Sequence, residues 1–107
     1  MADTLKRVAG PTALAATAST LYTVPADTTT TVVAIHVANQ GSVEATFGLS
    51  VGTDGAGKRF FSDVRVPVGC AFDWAGTLVL AEAEVLQGLA SVASTLTVTI
   101  SGVETTT

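Results

Sequence analysis

Three stretches of this chain alternate apolar and polar side chains, and that period of two limits what it can fold into. In residues 43–51 every odd position is apolar (Val43, Ala45, Phe47, Leu49, Val51) and every even one is polar or Gly. Residues 96–101, Leu-Thr-Val-Thr-Ile-Ser, repeat the pattern, and residues 31–37 follow it with small residues on the outer side. Such alternation marks a strand with one buried face. The chain therefore reads as all-β, a small antiparallel domain with a short N-terminal arm; about eight short strands separated by turns suggest a sandwich or a barrel.

The arm is placed at residues 1–11 and the sandwich at residues 12–107, as one domain. Gly10-Pro11 separates the two. Residues 13–24 read as two short strands meeting near Ala18, and Pro25-Ala26-Asp27-Thr28 as a turn. Residues 30–38 form a long strand with Val33, Ile35 and Val37 on its core face. Asn39-Gln40-Gly41-Ser42 then makes a hairpin loop, so that residues 43–51 return antiparallel beside it. Residues 52–57 are a flexible loop. Residues 59–62 and 64–68 follow as a short strand and an edge segment, because Pro67 cannot donate to a ladder. Residues 70–74 carry Cys70, Phe72 and Trp74 on one face, and Ala75-Gly76 turns the chain into residues 77–80. A strand at 85–92, broken by Gly88, and a closing strand at 96–103 complete the count. A helix over residues 78–93 also fits the apolar spacing, but Gly88 and the β-rich surroundings argue against it.

Charged residues make up 13% of the chain, against about 25% in a typical soluble domain. Interface cores are depleted in charge, so the expectation is a homo-oligomer. Neither the head of the chain nor its Thr-rich tail has a sequence reason to be ordered alone, and neighbouring subunits are expected to pin them. The net charge of −4 and the absence of a basic stripe disfavour nucleic acid. No apolar run is long enough for a membrane span. Lys6-Arg7 followed by residues 8–18 has the outline of a signal peptide, but Gly10-Pro11 and several Thr interrupt it.

Little in the chain looks catalytic. Gly52-Thr53-Asp54-Gly55-Ala56-Gly57-Lys58 fits the phosphate-cradling spacing, yet Arg59 stands where Ser or Thr should hold magnesium, and Arg59-Phe60-Phe61 is strand-like rather than helical. His36 is the one histidine, and general-base work needs an orienting acid beside it. Asp54, Asp63 and Asp73 lack calcium-loop spacing, and Glu82 and Glu84 read as a solvated turn. Cys70, the one cysteine, lies among Val68, Ala71 and Phe72 and reads as a small apolar residue. No enzyme, cofactor or metal site is expected. Phe60 and Phe61 should point to opposite faces of a strand. An outward ring beside Lys58 and Arg59 makes one candidate contact patch, and Leu5, Lys6 and Arg7 of the arm make another.

Residues 20–26, Thr-Leu-Tyr-Thr-Val-Pro-Ala, open a Thr-rich turn and a strand that ends at Asn39. A Thr/Phe/Leu strand at 46–51, the Trp74-to-Leu80 segment and a terminal Ser-Gly-Val-Glu at 101–104 complete a pattern that resembles small virion proteins of tailed bacteriophages. The resemblance implies a jelly-roll-like sandwich located in the virion. It further implies a capsid decoration or cement protein, a trimer that binds the outer surface of the major capsid protein, with Lys6, Arg7 and the arm making the contact. A neck, tail or fibre-base subunit is the second reading, and a secreted carbohydrate-binding module the third.

Overall fold

The computed structural model describes residues 2–53, 55 and 57–106. Every regular element among them is a strand: β1 (Ala2–Ala13), β2 (Ser19–Thr23), β3 (Thr28–Asn39), β4 (Ala45–Val51), β5 (Arg59–Val66), β6 (Ala71–Leu80), β7 (Val85–Ala90) and β8 (Leu96–Thr106). The alternation seen in the sequence carries directly into burial. Along β8, Leu96, Val98 and Ile100 are buried while Thr97 and Thr99 reach the surface; along β4 Ala45, Phe47 and Leu49 are buried, and so are Gly48 and Ser50.

Pairing follows one rule. β1 pairs with β8, β2 with β7, β3 with β6 and β4 with β5, all antiparallel. That is a single long hairpin whose tip is the β4–β5 loop. Rolling the hairpin adds β3–β8 and β4–β7 ladders and divides it into two sheets, β1-β8-β3-β6 and β2-β7-β4-β5. This is a jelly roll. The inner faces bring together Val32, Ile35, Val37, Phe47, Leu49, Leu86, Val98 and Ile100, each at most 1% exposed. Full burial of one such side chain contributes about 1.5–3 kcal/mol.

Several local expectations are corrected. Residues 2–13 are not an arm; they form β1, an edge strand paired along its length with β8, Ala2 opposite Thr106 and Leu5 opposite Val103. The first and last strands of the described chain thus hold each other. Residues 39–42 do not join paired strands, because β3 and β4 lie in different sheets. Val32, not Val33, faces the core: Val33 is the extra residue where the β3–β8 register slips between Val32 and Ala34, and such a bulge inverts the alternation. Ala75-Gly76 is no turn either, since β6 runs through it. The spare residue of the β3–β6 register falls there, and a Cβ on Gly76 would come within 2.8 Å of the Trp74 ring. Gly88 does not break β7. It is buried between Leu14, Leu21 and Leu49, each of which a Cβ there would meet within about 3.1 Å.

β5 is continuous from Arg59 to Val66 and sits at a sheet edge with Pro67 just beyond it. Phe60 and Phe61 do not divide into an inward and an outward ring. Leu49 opposes Phe61 while Ser50 opposes Arg59, which leaves Phe60 as a bulge. Both rings are half-buried, with centroids 5.0 Å apart. Phe61 also meets Phe47 at 6.0 Å, Phe72 at 5.3 Å and Trp74 at 6.1 Å. These rings plug the flank where β5 of one sheet approaches β6 of the other. Cys70 is exposed in the turn before β6, not buried.

Asn39 makes the crossing between sheets possible. Its amide donates to the carbonyls of Val43 and Val66, both at 2.9 Å, and its side-chain oxygen accepts from Gly41 N–H at 2.9 Å. Only 5% exposed, it satisfies backbone groups that have left the ladder. Asn39→Ala should lower the unfolding free energy by about 2–3 kcal/mol, the cost of stranding buried polar groups, with the fold retained. Urea denaturation followed by far-UV circular dichroism measures it, and a loss below about 0.5 kcal/mol would show the crossing to be held otherwise.

Candidate functional site

The groups that could perform chemistry stand apart. His36 does have an acid beside it: the β3–β6 register places Asp73 opposite, and the imidazole Nδ1 lies 2.5 Å from Asp73 Oδ1. Sequence reading missed this pair because 37 residues separate its members. Both side chains are exposed on the outer surface of the sheet, 49% and 74% respectively, and nothing encloses a reacting group there. No group of three or more His, Cys, Asp or Glu side chains converges as a metal site among the described residues. The glycine-rich loop joins β4 to β5 as a hairpin, with Val51 N–H donating to Lys58 C=O at 3.0 Å. It opens a strand, as its sequence implied. Asp54 and Ala56 of that motif lie outside the described residues.

One polar knot is built into the sandwich. The Tyr22 hydroxyl of β2 donates to Glu104 of β8 and is 2.7 Å from Thr30 Oγ1 of β3, while Lys6 of β1 reaches the same carboxylate at 3.4 Å. Four strands from both sheets meet at this carboxylate, which is 15% exposed. Burial, aided by the bond to Glu104 and the repulsion between the carboxylate and a phenolate, pushes the Tyr22 phenol up to about 12.

The residues expected to contact a partner fall on opposite flanks. Leu5, Lys6 and Arg7 lie on β1, at one edge of the first sheet. Lys58, Arg59, Phe60 and Phe61 lie at or just before β5, at the edge of the second sheet, beside β6 rather than β1. Within one chain they form no common patch. Lys6 faces inward to Glu104, which leaves Leu5 facing outward at 75% exposure. Arg59 Nη1 donates to Ser62 Oγ at 3.4 Å, and Phe60 and Phe61 belong to the aromatic plug.

Outer-face registers reveal what the linear sequence hid. Across the first sheet, Leu5 lies opposite Val103, Val103 opposite Thr31, and Thr31 opposite Val79. This uncharged row ends in two well-exposed aliphatic side chains, Leu5 and Val79, the latter 60% exposed. The next row holds Arg7, Ser101, Ala34 and Ala75. On the outer surface of the second sheet is a half-open pocket of about 70 Å³, lined by Thr46, Phe47, Gly48, Arg59, Asp63, Leu89, Ala90 and Ser91. Gly48 opens it by lacking a side chain between Leu89 and Arg59.

The Tyr22 knot makes a spectroscopic prediction. Folding raises this phenol above its unfolded value of about 10, so the stability it contributes is complete below about pH 10 and is lost as pH rises through about 12. Tyr22 is the sole tyrosine, so tyrosinate absorbance reports it alone. The midpoint should lie near 12 and should fall in Glu104→Gln; a wild-type midpoint near 10 would contradict the buried bond.

Comparison with known proteins adds one likeness. No protein-family model matches the chain, and no curated protein does. A solved structure described under the words "Bacillus endospore appendages form a novel family of disulfide-linked pili" is similar at a TM-score of 0.56 and 12% identity. The likeness covers 97% of this chain and 88% of that one. At that identity it supports the jelly-roll fold. It also corrects the expected capsid-decoration role and the major capsid protein as partner. That description is of a pilus and not of a capsid exterior.

Proposed function

We propose that this protein is a non-enzymatic structural subunit that self-associates into a multi-copy, pilus-like assembly. The observation that carries the reading is the outer face of the β1-β8-β3-β6 sheet. Its Leu5–Val103–Thr31–Val79 row is uncharged, and the two aliphatic ends are exposed. Burying such side chains between copies is favourable by about 25 cal/mol per Å² of apolar surface. A chain with few charges also loses little desolvation energy when its faces meet. The full-length likeness to a pilus protein supports the same reading.

Disulfides do not propagate such an assembly through this chain. A filament needs at least two links per subunit, and the chain carries one cysteine, Cys70. A single exposed thiol joins two copies and stops. In this reading growth rests on contacts between faces.

Sedimentation velocity of the wild-type chain at rising concentration, with reductant present, should show multi-copy species. Cys70→Ser should show the same species at the same concentrations. Monomer at every concentration would overturn the reading, and so would assembly that vanishes with the thiol.

A further inference from the structure

Leu5 and the pocket on the second sheet are a knob and a hole on opposite sides of one molecule. We propose that Leu5 of one copy seats in the Gly48–Leu89 pocket of the next, giving a head-to-tail contact that repeats from copy to copy. The inference rests on the self-association reading above and names the surfaces that carry it.

Size fits first. An apolar cavity of about 150 Å³ accommodates the six carbons of benzene. In proportion, a pocket of about 70 Å³ takes about three carbons, the isopropyl end of a leucine side chain. Leu5 is the most exposed large apolar residue described, at 75%, and it sits on an edge strand where nothing else covers it.

Charge fits next. Asp3, Leu5 and Arg7 share the outward face of β1, since side chains two residues apart point the same way. A negative and a positive group thus flank the knob, about 13 Å apart over four residues. The pocket has the opposite pair: Arg59 and Asp63 both line it, on either side of the β5 bulge at Phe60. Aligned in parallel, Asp3 meets Arg59, Leu5 enters the pocket and Arg7 meets Asp63. The antiparallel alignment sets like charges together, so the pairing specifies its own direction.

Geometry then sets the consequence. Knob and hole lie on different surfaces, so the contact is heterologous: each copy offers a free knob and a free hole after binding. Such contacts close into rings or run on as filaments. The outer face of one sandwich stacks on the outer face of the next. The two patches picked out in the sequence, at residues 5–7 and 58–61, do not meet within a chain but come together between chains.

The test uses sedimentation velocity of the full chain, with circular dichroism confirming the fold of each variant. Leu5→Asp should raise the concentration needed for assembly by about tenfold or more. Asp3→Arg and Arg59→Asp should each weaken assembly, and the double variant should recover it, because the exchanged charges again face each other. A mixture of Leu5→Asp and Arg59→Asp chains should give pairs that do not grow. If wild type assembles but Leu5→Asp assembles equally well, or the double variant does no better than the single ones, the knob-and-hole contact is wrong and self-association stands. If wild type never assembles, both fall. Should Arg59→Asp unfold, Leu5→Asp and Asp3→Arg decide the matter, since both positions are exposed on the edge strand.

Discussion

Everything in this fold depends on burying two apolar sheet faces against each other. Neither sheet can do this alone, and β4 with β5 is the one pair of sheet neighbours that are also consecutive in the chain. The chain must close into a long hairpin before the faces exist, with Ala2 beside Thr106 at one end and the β4–β5 loop at the other. The β1–β8 ladder is therefore a structural member of the sandwich. Without it β8 becomes an edge, and the inner surface around Ala9, Val98 and Ile100 opens.

Closing a sandwich of this size leaves flanks to seal. One is sealed by rings: Phe47, Phe61, Phe72 and Trp74 interlock where the β5 and β6 edges approach. Edge-to-face aromatic pairs contribute about 0.5–1.5 kcal/mol each beyond their buried area. Near the chain ends a polar solution appears, in which Glu104 collects Tyr22 and Lys6. Asn39 does comparable work where the chain leaves one sheet for the other. Each device satisfies the groups that a jelly roll strands at its corners.

Strand character was legible in the sequence wherever the alternation was local. Residues 43–51 and 96–103 predict β4 and β8 to within a few residues at either end, and the number and spacing of the strands pointed to a sandwich or barrel. Pairing was not legible, because it is non-local: Lys6 meets Glu104, 98 residues away. The reading of residues 39–42 as a hairpin loop failed for that reason. Bulges were invisible as well, since one extra residue on β3 or β5 inverts the inside–outside pattern without changing composition. Hence Val33, Phe60 and Phe61 were placed wrongly. Leu5, Arg7 and Arg59 were singled out from residue type alone. That Asp63, Gly48 and Leu89 share a pocket with Arg59 emerges only once register sets them on one surface.

The account holds that the chain is closed on itself before any assembly begins, with its first strand locked to its last. Hydrogen–deuterium exchange on dilute protein, below the concentration of association, tests that directly. The β1 amides that bond to β8 should be protected to the same degree as the β8 amides that bond to β3. Exchange of β1 at the rate of an unstructured peptide while β8 stays protected would make residues 2–13 a loose arm after all, and the closed sandwich would be wrong.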